Sequence, residues 1–513
     1  MSGAILVAGT SSDAGKSVVV AGVCRWLCRQ GVRVAPFKAQ NMSLNAAVTA
    51  DGREIGRATA AQAAAAGTAP EAAMNPVLLK PTGERSAQVV VMGRPLPEQP
   101  QGGCDAVAYQ GLKATLMPVV LAALEDLRCR FDVVVCEGAG GIAEINLRAS
   151  DLANLGLAQA ASLPVVVVGD IDRGGVFASA FGSLALLDAD DQRLVRAFVI
   201  NKFRGDVALL RPGLAELERR TGRGVLGVLP WVRGLELDAE DSLAVEAPRT
   251  PKPARPGSDR LVVAVVRLPR LSNFTDFDPL AAEAGVEVRF TESAAEVGAA
   301  DLAVLPGTKA TASDLAWLRA EGLDMALIQR ARLGKPLLGV CGGYQMLGVS
   351  LADDVECRVG VVPGLGLLPV ETTFGAEKVL ARPTGVARAF GSTRVDGYEI
   401  HHGLVRRSGG EHVFTDGRDG AGGEGCRVGS VVGTSWHGVF ECDGFRRAFL
   451  TWVAGTRGLR WIPGAGSFAE VREARLDKLG DLIAEHVDTR ALRSLIDGPA
   501  TGDLPVVRTG LSR

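Results

Sequence analysis

The stretch that decides the fold of the first half of the chain is residues 5–20, ILVAGTSSDAGKSVVV. An apolar run ends at Gly9, a glycine-containing turn follows, and apolar residues then recur at helical spacing from Val18 to Cys28. This order predicts a buried strand, a tight turn and a helix that begins at the turn. Backbone N–H groups and the positive end of the helix dipole converge at such a turn and favour a bound phosphate.

The residues of the turn point to nucleotide binding. Gly15, Lys16 and Ser17 match the end of the pattern G-x-x-x-x-G-K-[ST], with Thr10 at the position of the first glycine because Gly9 lies one residue too early. Lys16 would place a positive charge at the β- and γ-phosphates, and Ser17 a hydroxyl on Mg²⁺. The alternative is an ordinary glycine-rich turn with a solvated lysine. The strand before the turn and the helix after it favour the nucleotide site.

Length and composition indicate a multidomain enzyme. A chain of 513 residues with 47% hydrophobic residues predicts two or three domains. The net charge of -2 argues against nucleic-acid binding, and the nine cysteines without a C-x-x-C pair against a disulfide framework or a zinc ribbon. Apolar runs such as residues 163–169 are too short to span a bilayer. We expect a cytoplasmic enzyme with a small-molecule substrate and no membrane partner, and a homo-oligomer stays open.

Three continuous apolar runs predict a parallel sheet in the first half. They are FDVVVCEGAGG from Phe131, LPVVVVGDIDRGG from Leu163 and AFVINKFRGD from Ala197. The polar residues that end each run should meet at the carboxyl edge of the sheet. The sequence therefore predicts an α/β domain with its chemistry at this edge.

A proline-rich stretch, EAPRTPKPARPGSDR at residues 246–260, predicts a linker. A second α/β series follows it, beginning with LVVAVVRLP. We therefore predict an ATP-binding domain at 1–245, the linker, a second domain at 261–455 and a helical tail at 456–513.

The second domain contains a candidate nucleophile. In GVCGGYQMLG, residues 339–348, Cys341 follows an apolar strand and stands between glycines that permit the sharp turn of a nucleophile elbow. Gly342 and Gly307, the latter in PGTKAT, would donate backbone N–H groups to an oxyanion. Among the five histidines, His437 in GTSWHGVF is the preferred base. The alternative is that Cys341 is an inert core residue.

These motifs resemble known families. GVCGGYQMLG together with WHG is similar to the glutaminase domain of class I glutamine amidotransferases, and the first loop, CEGAGG and NKFRGD are similar to dethiobiotin synthetase and its relatives. Three stretches are more specific, and resemble the cobyric acid synthase family of cobalamin biosynthesis: PFKAQNMSLNA at 36–46, MNPVLLKP at 74–81 and GDIDRGGVFAS at 169–179. The resemblance extends to about Trp452.

The resemblance implies a P-loop-type parallel-sheet domain followed by a flavodoxin-like class I glutaminase domain. It implies amidation of the b, d, e and g carboxylates of adenosylcobyrinic acid a,c-diamide, with ATP and Mg²⁺, through an acyl phosphate and ammonia from L-glutamine. Two alternatives are a cobyrinic acid a,c-diamide synthase and an ATPase of the partitioning or assembly type without glutaminase activity. The motifs around residues 40–45 and 170–178 favour the cobyric acid synthase family over the a,c-diamide synthase. The presence of Cys341 and His437 argues against an ATPase without glutaminase activity.

The resemblance also implies site residues in the first domain. ATP contacts are expected from Thr10, Asp13, Gly15, Lys16, Ser17, Lys38 and Asn201, substrate contacts from Asn41, Asp170 and Asp172, and Mg²⁺ ligation from Ser17, Glu137 and Asp51. For Glu137 the alternative is a structural ion pair with Lys16, and for Asp51 it is a turn residue.

In the second domain the resemblance assigns catalysis to Cys341 and His437. The family pattern of many class I enzymes has a glutamate two residues after the histidine, where this chain has Val439. Glu441 lies close in sequence, but spacing does not decide its role. The sequence leaves the group that orients His437 open.

Overall fold

The computed structural model describes residues 3–83, 85–96, 103–232, 235, 251–415 and 422–507. In the first half, the strands are β1 (Gly3–Gly9), β2 (Val34–Phe37), β3 (Gln40–Met42), β4 (Ala46–Val48), β5 (Glu54–Gly56), β6 (Val77–Pro81), β7 (Ser86–Val91), β8 (Arg94–Pro95), β9 (Cys104–Asp105), β10 (Val133–Glu137), β11 (Val165–Asp170), β12 (Val195–Phe203) and β13 (Gly224–Pro230). The helices are α1 (Lys16–Arg29), α2 (Arg57–Ala65), α3 (Ala106–Arg130), α4 (Leu155–Ala161), α5 (Val176–Ala185), α6 (Ala189–Leu194) and α7 (Val207–Thr221).

The main sheet of the first domain has the order β13-β12-β11-β1-β10-β2, and all its neighbouring strands are parallel. The three apolar runs of the sequence form β10, β11 and β12, and their valines are buried. Continuous apolar runs are required here because helices cover both faces of the sheet. The predicted parallel α/β fold is confirmed.

A smaller sheet, β3-β6-β7-β8 with β9 on β7, and the β4–β5 hairpin lie at the boundary with the second half. Ala46, Val48 and Leu78 from these strands pack against Tyr398 and Ile400 of the second half. This apolar contact holds the two halves together.

In the second half, the strands are β14 (Leu261–Val266), β15 (Val286–Thr291), β16 (Leu302–Leu305), β17 (Leu337–Val340), β18 (Ser350–Asp353), β19 (Gly360–Pro363), β20 (Val370–Ala381), β21 (Thr384–Ala387), β22 (Thr393–Asp396), β23 (Glu399–Arg407), β24 (Phe414–Thr415), β25 (Gly423–Glu424), β26 (Cys426–Val428) and β27 (Val431–Thr434). The helices are α8 (Asp278–Ala281), α9 (Ala294–Ala299), α10 (Thr311–Ala320), α11 (Leu323–Arg332), α12 (Gly342–Met346), α13 (Asp443–Thr456), α14 (Phe468–His486) and α15 (Thr489–Asp497). The main sheet runs β15-β14-β16-β17-β27-β26, parallel except for β26.

The C-terminal segment returns to the first domain. Within the predicted tail, α14 and α15 are helices, and Leu479 and Ile483 of α14 share a core with Ile5 of β1 and Val19 of α1. Of the predicted linker, residues 251–260 form neither helix nor strand, and residues 246–250 lie outside the described residues. The first domain is therefore completed by residues from both ends of the chain.

Among the described helices, α3 alone is long and apolar enough, by length and composition, to cross a bilayer. One of its faces is buried in the core of the first domain, through Leu116, Val120, Leu124 and Leu127. This part of the apolar content of α3 thus serves packing in the domain core.

Candidate functional site

The turn after β1 folds as the sequence predicts and begins α1 at Lys16. Gly15 has φ 94°, a left-handed conformation that favours glycine, and a Cβ atom there would lie 2.0 Å from Nδ2 of Asn201. The Lys16 ammonium donates to the carbonyls of Ser11 at 3.0 Å and Gly140 at 2.9 Å. The lysine therefore lies over the turn and links it to the loop after β10.

Glu137 ends β10 beside this turn and is fully buried. Its carboxylate accepts hydrogen bonds from Ser17 Oγ at 2.8 Å, from Lys38 Nζ at 2.9 Å and from the side-chain amide of Gln62. Burial alone would raise the pKa of Glu137, but the Lys38 charge and these hydrogen bonds lower it. The cation that the structure pairs directly with Glu137 is Lys38, which forms a buried ion pair with it.

The donors around Glu137 fit a magnesium ion. A hydroxyl and a carboxylate are the hard oxygen ligands that Mg²⁺ takes, usually together with phosphate oxygens and water. No cluster of three His, Cys, Asp or Glu side chains suited to a metal occurs among the described residues. A metal bound here would therefore take its other ligands from a bound phosphate and from water.

Asp51, the other candidate metal ligand, lies in the turn between β4 and β5. Its side chain is 67% exposed and accepts a hydrogen bond from Thr49 Oγ1 at 2.5 Å within the same turn. These contacts agree with the alternative reading of Asp51 as a turn residue.

Four of the other predicted residues meet at the carboxyl edge of the main sheet. Lys202 Nζ donates to the Asp13 carbonyl at 2.7 Å and to Asp170 Oδ2 at 2.8 Å. The Asp172 backbone N–H donates to Asp170 Oδ1 at 2.8 Å, and Asn201 Nδ2 to the Ala14 carbonyl at 2.9 Å. These contacts attach the turn between β1 and α1 to the ends of β11 and β12.

Thr10 and Asn41, two further predicted site residues, differ in their hydrogen bonding. The Thr10 backbone N–H donates to the Val168 carbonyl at 2.9 Å, so Thr10 continues the sheet edge. Asn41 is buried, and neither polar atom of its side chain has a hydrogen-bond partner among the described residues. An unpaired buried amide is costly, so Asn41 is suited to a ligand contact.

Cys341 stands at the sharp turn between β17 and α12. Its backbone has φ 50° and ψ -110°, a strained conformation for a residue with a Cβ atom. The first turn of α12 approaches β16 so closely that a Cβ atom at Gly343 would lie 1.8 Å from the Leu305 carbonyl oxygen. The glycines of the motif are therefore required by the backbone, which supports the nucleophile elbow.

His437 follows β27 and faces Cys341. Its Nδ1 lies 2.6 Å from Oδ2 of Asp276, and the other oxygen of Asp276 accepts the Gly438 backbone N–H at 2.9 Å. Tyr398 stacks on the imidazole with a centroid separation of 5.3 Å. Asp276 therefore fixes the ring orientation that the sequence left unexplained, whereas Glu441 pairs with arginines elsewhere.

The electrostatics of the pair favour a thiolate and an imidazolium. Burial alone would raise the pKa of Cys341, but the charge of His437 and its hydrogen bond lower it. Burial alone would lower the pKa of His437, but Asp276 and Cys341 raise it to about 10. The two groups therefore stabilise each other in their charged forms.

The loop 306–311 lies against the elbow. A Cβ atom at Gly342 would come within 3.2 Å of the Thr308 backbone nitrogen, and one at Gly307 within 2.9 Å of His437 Cε1. The Thr308 hydroxyl donates to Asp314 at 2.5 Å, which fixes the loop. The two glycines expected to supply oxyanion donors therefore flank the thiol and the imidazole.

A pocket opens beside Cys341 and is lined by both domains. Lys80 comes from β6 of the first domain, while Lys309, Gln345, Lys378 and His401 come from the second. The pocket therefore joins a nucleophile to polar and charged side chains that suit a small, charged substrate.

Two residues of these sites escaped the sequence interpretation. Asp276 lies in NFTDFDP and Gln62 in an alanine-rich helix, and neither stretch matches a motif. Asp276 is 161 positions from His437, and Gln62 is 75 positions from Glu137. No local spacing could have connected them.

Comparison with known proteins agrees with this architecture. A family model described as a CobQ/CobB/MinD/ParA nucleotide binding domain matches residues 5–244, and one described as a CobB/CobQ-like glutamine amidotransferase domain matches residues 262–445. A cobyric acid synthase of Frankia casuarinae is 56% identical over 532 residues, covering 100% of both chains. A cobyric acid synthase of Streptomyces avermitilis is 56% identical over 515 residues, covering 99% of both.

The two domains define a class of enzyme in which a nucleotide-binding domain is fused to a glutamine amidotransferase domain. Within that class, the chain belongs to the cobyric acid synthase family. It is a glutamine-hydrolysing, ATP-dependent amide ligase of cobalamin biosynthesis. The resemblance seen in the sequence is thereby confirmed.

Proposed function

We propose that the enzyme amidates the b, d, e and g carboxylates of adenosylcobyrinic acid a,c-diamide, with glutamine as the nitrogen donor. The observation that carries the nitrogen-donating half is the arrangement of Cys341, His437 and Asp276, in which His437 hydrogen-bonds to both other side chains. Cys341 also lines a pocket to which the first domain contributes Lys80. The corrinoid substrate follows from the family to which the chain belongs.

In the glutaminase half, the Cys341 thiolate attacks the side-chain amide of glutamine. The backbone N–H groups at Gly342 and Gly307 stabilise the oxyanion, and the His437 imidazolium protonates the amide nitrogen as the C–N bond breaks, so that this nitrogen leaves as ammonia. Asp276 holds the imidazole in the orientation that this transfer needs. Water then hydrolyses the thioester to glutamate and restores the thiolate.

In the activating half, ATP when bound supplies the phosphoryl group that converts a carboxylate into an acyl phosphate, which ammonia can attack. Lys16 and the turn before it hold the phosphates, and Ser17 and Glu137 hold Mg²⁺. Lys38 keeps Glu137 ionised. Because Asp51 is exposed in a separate turn, we leave it out of the metal site.

The remaining first-domain residues complete this assignment. Thr10, Asp13 and Asn201 surround the phosphate turn and are proposed to contact the nucleotide. Asp170 and Asp172 stand at the end of the neighbouring strand, where the corrinoid side chain would approach. We assign activation to residues 1–245 with the helices of 456–513, and glutamine hydrolysis to 261–455.

The test uses two variants and two nitrogen donors. Cys341→Ser should abolish amidation with glutamine and keep it with a high concentration of ammonium, because the thiol serves only the nitrogen-donating half. Lys16→Ala should abolish amidation with both donors, because activation precedes any use of ammonia. The measurement is the amidated corrinoid and ADP formed by each purified protein.

The result that contradicts the assignment is equally specific. Loss of ammonia-dependent amidation in Cys341→Ser would place the thiol in the activating step. Full ammonia-dependent amidation in Lys16→Ala would mean that the turn containing Lys16 does not bind the ATP phosphates. If ADP formation by the wild-type enzyme did not depend on the corrinoid acid, the proposed substrate would be wrong.

A further inference from the structure

Two lysines in the pocket of Cys341 share one buried carboxylate. Glu54 of β5 is fully buried, and its two oxygens accept hydrogen bonds from Lys80 Nζ and Lys378 Nζ, each at 2.5 Å. Lys80 belongs to the first domain and Lys378 to the second. The cluster therefore crosses the domain boundary and carries two positive charges against one negative charge.

The third lysine of the pocket does not add to this excess. Lys309 is paired with Glu356, so this pair is neutral overall. Each ammonium of Lys80 and Lys378 has three N–H donors, and Glu54 accepts one from each. Among the residues that the structure describes, neither lysine bonds to another acceptor. When both lysines are protonated, N–H donors and one net positive charge are left at this wall of the pocket.

The effect of the uncompensated charge is visible in Lys378. Burial lowers its pKa first, Glu54 opposes this, and the charges of Lys80 and Lys309 lower it further, to about 7. His402, also at the pocket, has a pKa lowered to about 4 by burial and by the neighbouring lysines, so it stays neutral and adds no charge. A bound anion would relieve the repulsion between the lysines.

We propose that Lys80 and Lys378, joined through Glu54, bind the α-carboxylate of glutamine. The inference rests on the proposed glutaminase role of Cys341. The side-chain amide of glutamine must reach the thiol, so its charged end lies toward another wall of the pocket, and this wall offers ammonium donors. The first domain thereby supplies part of the amino-acid site of the second.

The wild-type enzyme provides the first test. In the complete reaction with ATP and the corrinoid acid, the KM for glutamine is compared with the KM for glutaminamide, in which a neutral amide replaces the α-carboxylate. Loss of a charge-assisted contact should raise the KM by about tenfold or more. The release of the side-chain nitrogen is followed by mass spectrometry.

A variant then assigns the contact to the lysine. Lys80→Met keeps most of the unbranched side chain and removes its charge, so it should raise the KM for glutamine by about tenfold and leave the KM for glutaminamide unchanged. Lys478→Met, at an exposed position of α14, is the matched control and should change neither. Amidation with ammonium shows that each variant is folded and active.

Equal KM values for the two donors in the wild type would overturn the proposal, without any need of a variant. An equal rise in the KM for both donors in Lys80→Met would mean that the lysine cluster only connects the two domains and does not bind the α-carboxylate. Failure of the proposed function looks different, because the wild type would then hydrolyse no glutamine at all.

Discussion

At the residue scale, the central feature is that Asp276 supports the charged pair of Cys341 and His437, the proposed catalytic groups. The carboxylate lies 2.6 Å from the imidazole of His437, and all three side chains are buried. In such surroundings an isolated imidazolium would be costly, and the carboxylate compensates for it. The thiolate of Cys341 is in turn stabilised by the imidazolium.

This arrangement predicts the pH dependence of glutamine hydrolysis. The active form is the ion pair, so activity falls below the lowered pKa of Cys341 and above the pKa of His437, about 10. In Asp276→Asn the support for the imidazolium is lost, and the alkaline limb should move down by about 1–3 pH units. The acid limb should move to higher pH, because His437 is protonated less readily without the Asp276 charge and so stabilises the Cys341 thiolate less. Glutaminase kcat/KM against pH gives the measurement.

Glu441→Gln is the matched control for this experiment. Glu441 is four residues after His437 in sequence, but its carboxylate pairs with Arg57 and Arg472. Both limbs should therefore stay in place in this variant. If the pH profile moved in Glu441→Gln and not in Asp276→Asn, Glu441 and not Asp276 would be the carboxylate that positions His437.

At the element scale, the packing of α14 on α1 shows why a helix carries a glycine in its middle. At Gly22 of α1 a Cβ atom would lie 2.7 Å from both the Leu479 carbonyl oxygen and Ile483 Cγ1. Glycine is unfavourable inside a helix by roughly 1 kcal/mol relative to alanine, so it is kept here for close approach. The contact attaches the C-terminal helices to the first domain.

Gly22→Ala should therefore destabilise the protein despite the better helix propensity of alanine. Overpacking against a backbone oxygen costs about 1–3 kcal/mol, which exceeds the propensity gain. The control is Gly111→Ala in α3, where a Cβ atom meets nothing within 4 Å and a small gain in stability is expected. Denaturant unfolding of both variants measures the difference, and equal stabilisation by both would disprove the close packing.

At the scale of the whole molecule, the two domains exchange hydrogen bonds beside the glutaminase site. Asn45 of the first domain accepts the Phe274 backbone N–H at 3.1 Å, and Asn273 accepts the Ala46 backbone N–H at 3.2 Å. Asn273 also donates to the hydroxyl of Tyr398, which stacks on His437. The turn that carries Asp276 is thus fixed by the domain that binds nucleotide.

Asn45→Ala should impair glutamine hydrolysis although Asn45 lies in the first domain. The variant leaves the Phe274 N–H buried and unpaired, which costs about 1–3 kcal/mol and loosens the turn that holds Asp276. Glutamine-dependent amidation should fall more than ammonia-dependent amidation of the same protein, which serves as the internal control. An equal fall with both donors would mean that the contact supports the fold as a whole and not the glutaminase site.

The sequence predicted the features that are local in the chain. The strand, turn and helix at residues 3–29 and the elbow at Cys341 are encoded by apolar runs and glycines within a few residues of each other. The parallel sheets followed from the continuous apolar runs, and that fold is confirmed. The roles of the site residues stay predictions that the geometry supports.

By itself, then, the sequence determined the two α/β domains, the turn between β1 and α1 and the sharp turn at Cys341, since each depends on residues that are neighbours in the chain. The tertiary structure alone decided the partners of those groups. It gave Asp276 to His437, Lys38 and Gln62 to Glu137, and the C-terminal helices to the first domain. The physical reason is that a buried charge must be compensated by whatever side chain the fold brings to it, and this choice leaves no local pattern in the sequence.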